Sequence, residues 1–464
     1  MNRVQYYPSG CVEPNDSINI GRGNYLLPAT DEQRSILYNP FRGVIREVER
    51  DVWDEVAGLD DDTRRAVLED VLPGDTISWE HFEAHPLSLG HRSGEHAHAM
   101  YRPTHAVFLM GRACNSRCVY CYANANAQAN RGASIPEEAA RTAIRMVAEN
   151  TREVGQKPYF AFHGPGEPML HADLIERLLD ACEDAVGAGA QYHLVTNGTV
   201  RKNDLVRLGK RIRDIQISFD GPSDIHNAQR PLANGGDSWA LAIEAIHALR
   251  DAGVNVTAKA TVTGRYIGRM DEVFHFARKE LGGLSGFYLG LVLPMGRAED
   301  DQRLDVRGVI DAYWSARQHY PDAGVFVVNA EKVYPDIIDR YCGITDPNFC
   351  ITPEGWATAC FAVTDLDDER SETYFFGRFD ERLRAFEFDM ERVRRLRGLK
   401  VSSIAHCRNC FAAAHCGGDC MARLHAPGGP RQVAEEATRN DPRCRLTRTF
   451  VYTRILEQLS ALQT

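Results

Sequence analysis

Three things are missing from this chain. No run of 18 or more apolar residues occurs, so no transmembrane helix is expected and no membrane partner. The first residues, MNRVQYYPSGCVEPNDS, hold no apolar h-region, which speaks against a secretory signal and for a cytoplasmic protein. Positive charge is not in excess: 64 Asp and Glu outnumber 54 Lys and Arg, and the formal net charge of −10 argues against a broad nucleic-acid surface. Internal repeats and low-complexity segments are absent as well.

Cysteine is plentiful. At 464 residues the chain is long enough for two or three domains, or for one large barrel plus additions, with ample length for a core. Thiols stay reduced in the cytosol, so the 13 cysteines read as metal ligands more readily than as disulfides. Eleven of them fall in three groups, at 114–121, 342–360 and 407–444, while Cys11 and Cys182 stand apart. Cys182 lies in the helical run LIERLLDACEDAVGAG and reads as a small buried hydrophobe.

Periodicity divides the chain into three blocks, expected at 1–100, 101–325 and 326–464. In the middle block, short β-rich runs (THAVFLM, YFAFHG, QYHLVTN, DIQISFD, VNVTAKATV, GFYLGLVL) alternate with amphipathic runs such as IPEEAARTAIRMVAENT and WALAIEAIHALRDAG. Six strand–helix units in that order predict an α/β fold of parallel strands with right-handed crossovers, curled into a full or partial barrel. Chemistry in such barrels sits on loops beyond the C-terminal strand ends. The first block reads as two or three short strands and a helix (SILYNPFRGVIREVERDVWDEVAGL), then a second helix at DDDTRRAVLEDVL. A Pro- and His-bearing stretch, EAHPLSLGHRSGEHAHAMYRP, leads from it to the barrel. The last block is cysteine-rich with weak periodicity, and its loops are expected to be held by metal more than by a hydrophobic core.

The loop after the first barrel strand, MGRACNSRCVYCYANAN, carries Cys114, Cys118 and Cys121 in a C-x3-C-x2-C pattern. A 4Fe–4S cube has four irons, each wanting a terminal ligand. Three cysteines leave one iron open to another molecule. A zinc site completed by a distant residue is the alternative, but structural zinc is usually held by four ligands that include C-x2-4-C pairs.

With its aromatic residue before the third cysteine, CNSRCVYCY resembles the signature of the radical S-adenosylmethionine (SAM) enzymes. The resemblance implies that SAM chelates the open iron, and that its reductive cleavage gives an adenosyl radical which abstracts hydrogen. FHGPGEP resembles the family's GGEP motif, whose backbone and carboxylate contact the SAM amino group; here that means Gly164, Gly166, Glu167 and Pro168, with Pro165 inserted. Glycine also makes physical sense wherever backbone must approach closely. VTNGTV and ISFDGPSDIHNAQRP resemble motifs of the SPASM subgroup of these enzymes. They imply Ser218 near the SAM ribose, with Asn197 and Arg230 as further contacts, and Tyr120 near the adenine. Packing is the alternative for Tyr120. Asp220 and His226 are equally well explained as loop formers, since Asp-Gly-Pro is by itself a turn signal.

The C-terminal cysteines have the spacing of the SPASM extension: Cys342, Cys350 and Cys360, then CRNCFAAAHCGGDC (Cys407, Cys410, Cys416, Cys420), then Cys444. Eight cysteines suit two four-ligand clusters, making three 4Fe–4S clusters in all. The resemblance implies Cys342, Cys350, Cys360 and Cys420 on one auxiliary cluster, and Cys407, Cys410, Cys416 and Cys444 on the other. A pair of zinc sites is the alternative. His163, His406, His415 and the histidines of HRSGEHAHAM are left out as packed or solvated. ERVRRLRG reads as a solvated helix face, with an acidic-peptide contact as the other possibility.

Enzymes of this subgroup mostly modify peptides or proteins. The expected activity is therefore that of a peptide maturase that crosslinks or otherwise oxidises a ribosomally made precursor. An electron donor such as flavodoxin or ferredoxin is implied. The first block is similar to small winged-helix domains that take a leader peptide as an extra strand at a sheet edge. Formylglycine formation on a sulfatase and small-molecule dehydrogenation are the alternatives. In sulfatase-maturing enzymes an Asp thought to act as base follows the third cysteine of the first auxiliary group; here Phe361 stands there.

Overall fold

The computed structural model describes residues 17–21, 24–29, 33–60, 63, 66, 100–123, 125, 132–292, 295–298, 305–327, 334–345, 348–424 and 442–462. They belong to two compact units. One combines Met1–His98, Asn329–Cys342 and Gly398–Thr464; the other combines Ala99–Val328 and Gly343–Arg397.

In the first unit, β1 (Ile18–Gly21), β2 (Asn24–Pro28), β3 (Arg34–Asn39) and β4 (Val44–Glu49) form an antiparallel sheet in chain order, followed by helix α1 (Arg50–Gly58). The β3–β4 turn is set locally. Asn39 accepts the Arg42 amide on its side-chain oxygen at 3.1 Å, and its amide donates to the Asn24 side chain at 2.8 Å. A sheet this small has one apolar face that its own block does not cover. Tyr25, Leu27, Ile36, Tyr38 and Ile45 bury that face against Tyr334, Phe411, Val451, Tyr452 and Ile455, far along the chain. The blocks expected separately at 1–100 and 326–464 therefore share a core here, and residues 343–397 of the last block join the other unit. Most of the expected DDDTRRAVLEDVL helix, most of the stretch leading to the barrel, and Cys11 lie outside the described residues; Thr63 and Ala66 of that run are helical.

The second unit is α/β. Seven parallel strands, β5 (His105–Leu109), β6 (Tyr159–His163), β7 (Gln191–Thr196), β8 (Asp214–Ser218), β9 (Asn255–Val262), β10 (Gly286–Leu291) and β11 (Val325–Val327), pair in chain order. The crossovers carry α2 (Glu137–Val154), α3 (Ala172–Val186), α4 (Lys202–Ile212), α5 (Ser223–Gln229), α6 (Ser238–Asp251), α7 (Met270–Glu280) and α8 (Val306–His319). Six of the strands coincide with the runs read from sequence; β11 is an addition. Beyond β5 the sheet continues through β12 (Cys350–Ile351), β13 (Trp356–Thr358), β14 (Phe375–Asp380) and β15 (Ala385–Phe388), of which β12 runs parallel to β5 and the rest antiparallel.

Strand alternation tells which face is filled. In β9, Val256, Ala258, Ala260 and Val262 are buried, while Thr257, Lys259 and Thr261 on the opposite face are more open. Buried Ala139, Ala143, Ile144 and Val147 of α2 show the matching helical stripe. The inner face carries His163, Val195, Gln216, Ser218, Lys259 and Tyr288 and is not packed solid, unlike the interior of a closed eight-stranded barrel. Helix α9 (Met390–Arg397) buries Val393 and Leu396 and exposes Arg394 and Arg395, so ERVRRLRG forms a solvated face. Cys182 is fully buried in α3.

Candidate active site

The loop after β5 is sewn to its neighbours by backbone hydrogen bonds. The amides of Arg117 and Val119 donate to the carbonyls of Pro231 and Gln229 at 2.7 and 3.0 Å, and that of Ala233 donates to Asn115 at 2.9 Å. The loop after β6 packs on it from the other side. Gly166 N–H donates to Gly111 O at 3.0 Å and Glu167 N–H to Ala113 O at 2.8 Å. A Cβ on Gly166 would sit 2.1 Å from the Ala113 carbonyl oxygen, so only glycine fits. Glycine is needed there for backbone-on-backbone approach between the two loops.

Each of the three sulfurs has an N–H near it. Cys114 Sγ accepts the Ser116 amide at 3.4 Å and lies 4.0 Å from Asn197 Nδ2; Cys121 Sγ accepts the Ala125 amide at 3.5 Å. The Arg230 guanidinium comes within 4.0 Å of Cys118 Sγ. Burial, with Glu167 nearby, pushes the Cys114 thiol up to about 12, and burial raises Cys118 despite Arg230. Half-buried thiols, each with an N–H group near its sulfur, fit ligation, because a metal takes a thiol as thiolate and N–H groups stabilise the sulfur. Among the described residues no three His, Cys, Asp or Glu side chains converge closely enough to hold a single metal ion.

Glu167 is buried, and its carboxylate accepts from Met169 N–H at 3.0 Å, Thr196 hydroxyl at 2.6 Å and Asn197 N–H at 2.7 Å. Burial raises its pKa against these donors. An ionised carboxylate has about four acceptor positions, so one on Oε2 remains. Asn197 is a clamp. Its amide donates to Asn115 Oδ1 at 2.7 Å and Ser116 Oγ at 3.2 Å, and its oxygen accepts from Thr199.

Asp220 is fully buried, and it is no simple turn former. Its carboxylate accepts from the Tyr120 hydroxyl, Gln229 Nε2 at 2.8 Å, Arg230 Nε at 3.0 Å and the Thr261 amide at 3.0 Å. Its carbonyl takes the Tyr266 hydroxyl at 2.7 Å, and its amide donates to His226 Nδ1 at 3.2 Å. Arg230 also lies over the Tyr120 ring, 5.2 Å from its centroid. Asp220, Tyr120, Arg230 and Cys118 therefore form one connected group. Thr196, at the end of β7, and Gln229, at the end of α5, carry no signal in one sequence beyond their polarity, and Asp220 carries only that of a turn. Ser218 sits at the end of β8 in register with Lys259 of β9.

On the inner face, His163 Nδ1 accepts the Gly164 amide at 2.9 Å, so in the neutral ring the proton is on Nε2. Burial and Lys259 hold its pKa down to about 4. Phe361 stacks on that ring, centroids 5.3 Å apart. Cys350 is buried at β12 and Cys360 follows β13, its sulfur accepting the Ala362 amide at 3.4 Å. Burial pushes the Tyr122 phenol up, and the Cys121, Cys360 and Cys350 thiols push it the same way.

The other six cysteines belong to the first unit. Burial pushes the Cys407 thiol up, and the Cys410, Cys416 and Cys444 thiols push it the same way. The amides of Gly418 and Asp419 donate to Cys416 Sγ. His415, left out as a ligand, is a core residue. Its Nδ1–H donates to Asp336 O at 2.8 Å, leaving Nε2 to accept from the Tyr38 hydroxyl.

Residues 108–276 match the radical SAM superfamily. Among curated proteins, the chain is 28% identical over 236 residues to an AdoMet-dependent heme synthase of Oleidesulfovibrio alaskensis. That alignment takes in 47% of this chain, and the chain spans 57% of that relative's length. It is 24% identical over 371 residues to the serine-type anaerobic sulfatase-maturating enzyme of Klebsiella aerogenes, covering 75% of this chain and 85% of that one. Among solved structures, native anSMEcpe with bound AdoMet and Cp18Cys peptide superposes with a TM-score of 0.58 at 15% identity, covering 77% of this chain and 99% of that one. No helix among the described residues is long and apolar enough to cross a membrane.

Proposed function

Since this chain carries a radical SAM domain in the radical SAM fold, we propose that it is a maturase: it removes hydrogen from a peptide or protein substrate and installs a crosslink or related oxidative modification. The observation that carries this is the loop of three N–H-ringed cysteines packed on Gly166 and Glu167. Cys114, Cys118 and Cys121 would hold a 4Fe–4S cluster, which when loaded supplies the electron that cleaves SAM to a hydrogen-abstracting adenosyl radical. Glu167 keeps one acceptor position and suits a cationic amino group. Ser218 lies beside the open inner face, where the ribose would sit. Asn197 holds the cysteine loop, and Asp220 holds Arg230 and Tyr120 against Cys118. The inner face offers Lys259, His163 Nε2–H, Tyr288 and Phe361 to a substrate side chain.

The remaining cysteines are proposed to hold two auxiliary clusters, with Cys407, Cys410, Cys416 and Cys444 as one four-thiol set within the first unit. A peptide substrate is supported by the peptide named with the superposed structure. The antiparallel sheet of the first unit ends in edges, β1 and β4, of the kind that accept a strand. A flavodoxin or ferredoxin is proposed as electron donor. Sulfatase maturation is the second reading, favoured by the extent of the Klebsiella alignment. Phe361 weakens it, since a phenyl ring stacked on His163 takes no proton.

Anaerobic reconstitution tests the proposal. About twelve irons per chain are expected for three clusters. SAM with dithionite should give 5′-deoxyadenosine, lost to background in Cys118→Ala. Two zincs and no 5′-deoxyadenosine would overturn it.

A further inference from the structure

One buried charge group lies outside this chemistry. In Cys416–Cys420, three successive residues adopt left-handed backbone: Gly417 at φ +64°, Gly418 at +91° and Asp419 at +62°. Glycine does so freely; aspartate does so at a cost. A Cβ on Gly417 would lie 2.3 Å from the Arg340 carbonyl carbon, so the turn is pressed onto the chain just before Cys342. Asp419 is 6% exposed, and it is ionic. Its Oδ2 accepts from Arg423 Nη2 at 2.6 Å and Nε at 3.0 Å, and from Arg443 Nε at 3.1 Å; Oδ1 accepts from Arg443 Nη2 at 3.1 Å. A strained backbone and a buried ion triad are independent costs met at one residue. Such costs persist where the surroundings over-determine them, and they cluster at functional sites.

The placement shows what the triad does. Arg443 directly precedes Cys444 at the start of helix α10 (Pro442–Leu462). Asp419 lies between Cys416 and Cys420, and its own amide donates to Cys416 Sγ. The two-point Asp419–Arg443 pair thus ties the helix bearing Cys444 to the turn bearing Cys416, while Arg423 fixes the carboxylate from the following helical turn. Two parallel N–H···O bonds set orientation as well as distance.

We propose that Asp419 is the positioning residue of the auxiliary cysteine set: by gripping Arg443 it holds Cys444 against Cys407, Cys410 and Cys416 in the geometry that four-thiolate ligation requires. The proposal rests on the auxiliary-cluster reading above. The plain alternative is a staple that stabilises the fold and leaves cluster ligation untouched.

The test uses the full chain reconstituted anaerobically, read by iron count and by the EPR spectrum of the dithionite-reduced protein. Asp419→Asn keeps the shape and removes the charge. It is expected to lose about four of about twelve irons, or one cluster's worth. The EPR change produced by adding SAM, which reports the cluster at Cys114, Cys118 and Cys121, is expected to stay. Asp419→Glu, which restores the charge, should recover the irons with altered line shape. If Asp419→Asn does not fold, Arg443→Lys serves, since it keeps the charge and loses the two-point grip; the same iron loss is expected. Full iron and a wild-type spectrum in either charge-removed or grip-removed variant would overturn the role of Asp419 alone. Only about four irons in the wild-type chain would instead overturn the auxiliary-cluster reading and the proposal with it.

Discussion

Two buried aspartates, Asp220 and Asp419, stand beside two cysteine sets, and the protein neutralises them differently. Asp220 meets one arginine and several neutral donors drawn from the cysteine loop, α5 and β9. Asp419 meets two arginines and sits in strained backbone. The difference follows from the scaffold. A loop, a helix and a strand meet beyond the end of β8, so Asp220 finds neutral donors from three neighbouring segments. The chain around Asp419 is made of single turns and offers few such donors, so full charges do the work. Removing one partner of a buried pair is costly either way, because the other charge stays buried alone.

Several experiments would break or sharpen that contrast. The largest effect is expected from Asp220→Ala, which strands Arg230 and Tyr120. Denaturant unfolding should show a loss of roughly 3–5 kcal/mol, and SAM binding should fail. Asp220→Ala and Arg230→Met combined should cost less than the sum of the two. The next effect is a pH dependence of the apo chain. His163, His226 and His415 are each held down to about 4 by burial, against 6.5 unperturbed. The unfolded chain therefore takes up protons first as pH falls. Stability is full above pH 6.5 and declines between 6.5 and 4, by up to about 3 kcal/mol per histidine. Thermal unfolding across that range checks this, and His226→Gln should flatten the slope. Smaller still is Gly166→Ala, whose methyl would force the Ala113 carbonyl away. About 1–3 kcal/mol is expected, with weaker SAM binding measured by titration. Least of all is Lys202→Ala, which removes an exposed ion pair to Glu244 and should change unfolding by under about 0.5 kcal/mol.

Much of the larger unit was legible in advance. Apolar runs of strand length between amphipathic helices are local signals, and six of seven parallel strands lie where alternation put them. β11, only three residues long, has too little length for a pattern. β12 and β13, of two and three residues, are short for the same reason and owe their existence to pairing with β5 and with each other. At the site, the cysteines were visible through their spacing, and Glu167 through the resemblance of FHGPGEP to a family motif. Asp220 was not, because Asp-Gly-Pro describes a turn equally well and only burial among Tyr120, Gln229 and Arg230 distinguishes a hub from a loop. Gly166 was singled out, and the structure adds that its backbone lies against that of Ala113.

By itself the sequence determined the alternating α/β order, the three-cysteine loop at a strand end and the absence of a membrane-length apolar run. These follow from period, spacing and composition, all properties of neighbours along the chain. Only the tertiary structure decided that Tyr38 and Val451 share a core, that Asp220 ties Arg230 to Cys118, and that Asp419 grips Arg443. Those pairings join residues that no local pattern relates, and each is selected by what a buried face or a buried charge needs once water is gone.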